Sequence, residues 1–183
     1  MRLFIGIDLK EFSEKLKNII EEIKKAEGDV KFVEDENFHI TLKFLGEVRE
    51  DCVNELVNKI SLCLKNVKQF KISLEGVGFF GSEHYIRVIW VGVNDGRDML
   101  IDIMKRLNET LSYIRRDDNI SPHLTLGRIR SGKNREKLLE KINELKDIKI
   151  GETIVKEIKL KQSILTRHAP IYKDISTFPL NEK

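Results

Sequence analysis

Histidine gives or takes a proton near neutral pH, and two of the four histidines in this 183-residue chain stand in the same tetrapeptide setting. His39-Ile40-Thr41-Leu42 is echoed 84 residues later (39 to 123) by His123-Leu124-Thr125-Leu126. A given string of this kind is expected by chance in fewer than about one chain in a hundred. One such histidine alone reads best as a satisfied core or surface ring; two in matched settings reverse that judgement. Both copies lie in strand-like runs, where alternate residues share a face. His39 and Thr41 therefore point one way, Ile40 and Leu42 the other, and the second copy does the same.

Two imidazoles facing each other across a cleft suit phosphodiester chemistry. That reaction needs one proton removed from a nucleophile and another delivered to a leaving oxygen. The hydroxyls of Thr41 and Thr125, with nearby backbone amides, are placed to hold non-bridging oxygens where negative charge gathers. Lys43 shares the parity of His39 and Thr41 and is expected to add positive potential to the same face. No Gly-x-Ser-x-Gly elbow supports a serine triad. No His-Glu-x-x-His or paired-cysteine set completes a zinc shell, so neither a metal nor a cofactor is expected. His84 and His168 read as solvated loop residues and Trp90 as strand packing.

The elements that must position these residues follow from periodicity. Residues 2 to 8 read as a strand, and residues 12 to 25 as an amphipathic helix with apolar positions 12, 16, 19, 20 and 23. After the Gly28 break come a short strand at 30 to 33, a firmer one at 38 to 45 and a helix over 50 to 65. Long strands at 70 to 80 and 85 to 93 join through a hairpin loop, and a helix over 97 to 114 leads by a polar loop to the strand at 123 to 129. A helix over 134 to 145 and strands near 148 to 155, 158 to 165 and 171 to 178 complete the chain. Strands returning beside each other, with helices that do not strictly alternate, indicate α+β with antiparallel sheets. No Pro/Gly linker divides the chain, so residues 1–183 are expected to form one domain.

Composition narrows the partners. Thirty-three Lys and Arg against 30 Asp and Glu leave a net charge of +3, too balanced for a non-specific nucleic-acid coat. Charged residues at 34 % with few prolines suggest heat adaptation. Neither a signal peptide nor a membrane span is evident, so a cytoplasmic protein with no membrane partner is expected. Cys52 and Cys63, eleven residues apart in one helical run, lie about 16 Å apart along its axis, too far for a disulfide, and read as buried reduced thiols. The Lys-rich runs at 133 to 141 and 156 to 161 read as solvated faces able to steer a polyanion.

These residues resemble the RNA 2′,3′-cyclic phosphodiesterases, also called 2′-5′ RNA ligases, of the two-histidine phosphoesterase superfamily. The likeness rests on Arg2 to Asp8 as an opening strand, Asn37 to Val48 and Ser121 to Arg128 as two signatures, and Gly76 to Phe80, Ile89 to Val93 and Thr177 to Leu180. It implies a bilobal fold with a pseudo-twofold, in which two antiparallel sheets flank a central cleft and the helices lie on the outer faces. It further implies metal-independent opening of RNA 2′,3′-cyclic phosphate ends, tRNA fragments among them, to 2′-phosphates by a monomer, with reverse 2′-5′ joining in the same site. By the resemblance, His39 is the acid that protonates the departing 3′-oxygen, His123 is the base that activates water, and Thr41 and Thr125 grip the phosphate. It also sets Phe44 and Arg128, each five residues after its histidine, around the terminal nucleobase. Strand parity opposes that placement, because five is odd; a bulge near Gly46 and Gly127 is needed to reconcile them. A non-catalytic RNA-end or nucleotide-binding module is the competing reading, against which the matched pair of proton-transfer groups counts.

Overall fold

The computed structural model describes residues 1–183. It has four helices and nine strands, with the strands in a single antiparallel sheet. Along the sheet lie β7 (Lys149–Val155), β4 (Phe70–Ser82), β5 (Tyr85–Val93), β6 (His123–Ile129), β3 (His39–Glu47), β1 (Arg2–Asp8), β8 (Glu157–Ile164) and β9 (Ile171–Pro179), while β2 (Val30–Phe32) pairs with β6. The two sheets expected from the sequence are thus two halves of one, β7-β4-β5-β6 and β3-β1-β8-β9. A single residue pair, Ile40 with Leu124, joins β3 to β6 at the centre. Both are the second residue of their tetrapeptide, so the local twofold runs through this pair.

The helices cross between the halves. α1 (Ser13–Lys24) follows β1 yet packs on α4 (Arg135–Glu144), which lies on β4, and its Lys15 Nζ donates to the Ile150 carbonyl of β7 at 2.8 Å. α3 (Arg97–Thr110) follows β5 yet packs on β3 and on α2 (Val53–Leu64). Apolar stripes dictate these contacts: α1 buries Leu16, Ile19, Ile20 and Ile23, and α3 buries Leu100, Ile103, Met104 and Leu107. They join Ile40, Leu42, Leu124 and Leu126 of the motif strands in one hydrophobic cluster on the face away from the cleft.

Both motif strands carry a bulge at the same place. Against β1, Gly6 pairs with Thr41 but Ile5 with Lys43, which leaves Leu42 as an extra residue; against β5, Trp90 pairs with Thr125 but Ile89 with Gly127, which leaves Leu126 extra. A bulge moves every later side chain to the opposite face. Phe44 and Arg128 are thereby returned to the cleft side, and residue 43 and residue 127 to the core side. β3 has a second register shift at Leu45, beside Gly46, where the sequence places one.

The first shift overturns the reading of Lys43. Its side chain is fully buried, and its ammonium donates to Asn108 Oδ1 of α3 at 3.0 Å and to Asp117 Oδ2 at 3.1 Å. Asn108 in turn accepts from the Asp117 backbone amide and donates to its carbonyl, so the three residues fasten the polar loop before β6 to the back of β3. The run at 156 to 161 also departs from a solvated face: Lys161 is 3 % exposed and held by Asp8 and Asp174. Cys52 is exposed in a 3-10 turn rather than buried, Cys63 is half-buried, and both are free thiols. No helix is long and apolar enough to cross a membrane.

Replacing Lys43 by Met keeps the volume and removes the donor. We expect Lys43→Met to lower stability by about 1–3 kcal/mol, the cost of a buried polar group left unpaired, and to speed amide exchange in the loop around Asp117. Thermal denaturation and hydrogen exchange read the two effects. An unchanged melting temperature together with unchanged exchange at Asp117 contradicts the fastening role.

Candidate active site

Both histidines are oriented in the same way by the residue two positions earlier. His39 Nδ1 donates to the Asn37 carbonyl at 2.7 Å, and His123 Nδ1 donates to the Ser121 carbonyl at 2.7 Å. A carbonyl oxygen only accepts, so each ring carries a fixed proton on Nδ1 and leaves Nε2 as the atom that exchanges protons. Thr41 donates to His39 Nε2 at 2.9 Å. The antiparallel register through Ile40 and Leu124 sets His39 opposite Thr125 and Thr41 opposite His123 when it is extended one step each way.

The supports of the two rings differ. Asn37 is 6 % exposed and its side-chain amide donates to the Pro170 carbonyl at 2.8 Å, which holds the segment before β9 against the start of β3. Phe4 and Tyr172 flank the His39 ring at centroid distances of 5.0 and 5.2 Å, the tyrosine edge-on. Gly6 lies behind it: a Cβ there would stand 2.8 Å from the Ile40 carbonyl and 3.6 Å from His39 Cδ2, so the close approach of β1 requires glycine. His123 is met edge-on by Phe80 at 4.7 Å, and Arg97 at the start of α3 donates to the Pro122 carbonyl at 3.3 Å.

A cavity of about 320 Å³ is lined by His39, Thr41, Phe44, Thr125, Arg128 and Tyr172, among others. Five of the six residues singled out from the sequence thus meet in one hollow. His123, the sixth, faces an adjoining hollow of about 470 Å³ that also reaches Trp90, Ser121 and Arg97. The Phe44 ring lies near two guanidinium groups, Arg2 at 5.0 Å and Arg115 at 5.4 Å. Arg2, Lys31 and Arg128 line the first hollow against a single carboxylate, Glu34, which favours an anion. Periodicity missed Phe4, Arg2, Asp8 and Tyr172. Parity in β1 carries a signal for three of them, since Arg2, Phe4 and Asp8 share one face and Leu3, Ile5 and Ile7 the other; Tyr172 has none.

The surroundings tune the two imidazoles unequally. Burial lowers the His39 pKa below the ordinary histidine value. Its hydrogen bond to Asn37 and the Asp8 carboxylate oppose that shift, while Lys161 and His123 add to it. Burial also lowers the His123 pKa, opposed by the Ser121 bond, and here the nearby charges are the guanidinium groups of Arg128 and Arg97, which lower it further. The Asp8 carboxylate is itself held below its usual range by Lys161 and Lys159 in spite of burial, so it stays ionised beside His39. No group of three or more His, Cys, Asp or Glu side chains forms a metal-ligating cluster.

Known proteins resemble this chain in sequence and in fold. An RNA 2′,3′-cyclic phosphodiesterase of Methanocaldococcus jannaschii is 41 % identical over 182 residues, covering 96 % of this chain and 98 % of the relative. One of Methanothermobacter thermautotrophicus is 38 % identical over 183 residues, covering 98 % and 99 %. Among solved structures, Escherichia coli LigT complexed with 3′-AMP superposes with a TM-score of 0.75 at 24 % identity over 98 % of this chain and 97 % of that one. A crystal structure from Thermus thermophilus superposes with a TM-score of 0.80 over the whole of both chains, also at 24 % identity. These two likenesses speak to the fold alone. The LigT-like phosphoesterase description matches twice, over residues 6–90 and 91–172, with one histidine strand in each half. From that double match and the full-length relatives, the chain belongs to the LigT-like phosphoesterase family.

Proposed function

We propose that the protein hydrolyses 2′,3′-cyclic phosphate ends of RNA to 2′-phosphate ends by paired histidine acid–base chemistry, without a metal. The observation that carries this reading is the twofold-related pair of imidazoles, each with Nδ1 spent on a carbonyl and Nε2 left as the proton-exchanging atom. The names of the full-length relatives supply the substrate class.

In the reaction, His123 Nε2 takes a proton from water as its oxygen attacks phosphorus. The bond from phosphorus to the 3′-oxygen breaks, and His39 Nε2 protonates the departing oxygen. Burial favours the neutral form of both rings; against it, His39 has the Asp8 carboxylate, which favours the imidazolium and is opposed by Lys161 and the other ring, whereas at His123 the neighbouring charges, Arg128 and Arg97, favour only the neutral ring. Thr41 and Thr125 hold the non-bridging oxygens. Phe44 and Arg128 border the terminal base, one offering a ring face and the other a guanidinium plane. One turnover leaves His39 neutral and His123 protonated, and proton exchange with solvent restores the starting state. Joining a 5′-hydroxyl through a 2′-5′ bond follows the same course with the hydroxyl in place of water: His123 takes its proton and His39 protonates the departing 3′-oxygen.

The pH dependence has a definite sign. Both free-enzyme pKa values lie below the ordinary histidine value of about 6.5, so the form with one neutral and one protonated ring is most populated below that pH. We expect kcat/KM to be bell-shaped with its maximum on the acid side of about 6.5. The kcat profile is displaced upward, because a bound phosphate anion favours imidazolium. A kcat/KM profile flat from about pH 5 to 9 argues against paired roles.

His39→Ala and His123→Ala are each expected to lose about 10²–10⁴ in rate, the usual worth of a positioned acid or base. The double variant loses far less than the product of the two losses. A substrate whose leaving group needs no proton rescues His39→Ala but not His123→Ala, and the natural product carries its phosphate on the 2′-oxygen. A 3′-phosphate product, or the opposite pattern of rescue, shows that the roles are reversed.

Turnover is expected to persist in excess chelator. Its loss, with recovery on adding zinc or manganese, contradicts the metal-free route.

A further inference from the structure

Beyond the site lies a second hollow, of about 460 Å³, between the β4–β5 hairpin and the segment that joins β6 to α4. Arg87, Arg128, Arg130, Lys133 and Arg135 line it, and no carboxylate does. Elsewhere the chain pairs its charges closely: Lys17 with Asp35, Arg106 with Asp102 and Arg116 with Glu109 are examples. None of the five cations of this hollow has an acidic partner within ion-pair distance. In a protein of net charge +3, five unpaired cations around one cavity are a concentrated positive field.

A second observation points to what the field is for. Arg135 Nε is buried and has no hydrogen-bond partner, although its Nη1 donates to the His84 carbonyl at 3.1 Å. A buried guanidinium donor without an acceptor is destabilising, and an anion in the hollow relieves it. The hollow adjoins the proposed active site, because Arg128 lines both and Phe80, which meets the His123 ring, forms part of its wall.

We propose that this hollow holds the internucleotide phosphodiester immediately upstream of the cyclic phosphate, so that the enzyme recognises an RNA chain end rather than a free cyclic nucleotide. This rests on the phosphoesterase reading above and deepens it. Only an internal phosphodiester is tied by its own chain to the reacting group at a spacing of one nucleotide. Tyr85, 71 % exposed on the hairpin at the rim, offers a ring face on which an upstream base stacks, a contact that an inorganic anion does not need.

The test compares kcat/KM for a 2′,3′-cyclic mononucleotide with that for a trinucleotide ending in the same group. The trinucleotide is expected to be favoured by about tenfold or more, equivalent to about 1.4 kcal/mol, with a log–log salt slope steeper by about 0.7 for each phosphate contacted. Arg130→Gln/Lys133→Gln, which alters two exposed side chains outside the site, is expected to erase most of that preference. It should leave mononucleotide turnover within about twofold. A methylphosphonate at the penultimate linkage has the same effect on the unmodified enzyme. Equal kcat/KM for the two substrates, or a double variant that slows both alike, overturns the proposal. If neither substrate is turned over, the phosphoesterase reading fails instead. Anisotropy with a labelled, 2′-phosphate-ended trinucleotide then reads the hollow alone, and equal affinity of the double variant and the unmodified protein refutes it.

Discussion

The structure depends on one backbone pairing, that of Ile40 with Leu124. It is the seam at which two four-stranded halves become one sheet, and the twofold passes through it. The next residue on either side in each strand is a histidine or a threonine, so the seam fixes both imidazoles and both hydroxyls by backbone register rather than by side-chain contacts. A slip of one residue would turn all four away from the cleft and bring their aliphatic neighbours into it. The aliphatic residues resist such a slip, because Ile40, Leu42, Leu124 and Leu126 are nearly inaccessible to solvent beneath α3 and the rest of the core.

From that seam outward the halves diverge, and their divergence makes two equal histidines unequal. Each is set by the carbonyl two residues before it, and each has an aromatic ring against it. The first has a carboxylate as neighbour and the second has guanidinium groups. The carboxylate persists because Lys159 and Lys161 reach across from β8 to Asp8, and Asp174 of β9 completes the network. A buried network of this kind contributes little to stability by itself. Its importance here is that it keeps the Asp8 carboxylate ionised beside the first ring, partly offset by Lys161, while the second ring has no carboxylate among its neighbouring charges.

Much of this was legible in the sequence. Periods of 2 and 3.6 located the elements, and the tetrapeptide echo located the chemistry, since both signals are local. Strand parity failed at a single point, where Leu42 and Leu126 are each inserted as an unpaired residue. That insertion sends Lys43 into the core and returns Phe44 and Arg128 to the cleft. A bulge leaves no mark in composition; glycine at 127 hints at one, but a lysine at 43 gives no such hint. Lys161 was misread for a different reason. Its partners, Asp8 and Asp174, lie 153 and 13 residues away, and no short window contains them. Arg128 and the run from Lys133 stood out singly in the sequence, but the cluster that they form with Arg87, Arg130 and Arg135 did not, because its members come from β5, β6, the segment after β6 and the start of α4, which only the folded sheet brings together.

The order of strands in the sheet also bears on how the chain is built. β4, β5, β6 and β7 lie within residues 70–155, so that half can assemble as soon as those residues exist. The other half pairs β1, from the first residues of the chain, with β8, near its end, and is closed by β9 at residues 171–179. Such sequence-distant pairing is slow, because a long loop must close before any contact offsets its entropy. During synthesis His39 leaves the ribosome long before Tyr172, Asp174 and the Pro170 carbonyl that surround or support it. The first histidine made is the last to gain its walls, so a chain lacking its C-terminal strands would present one imidazole of the pair without the setting that makes it useful.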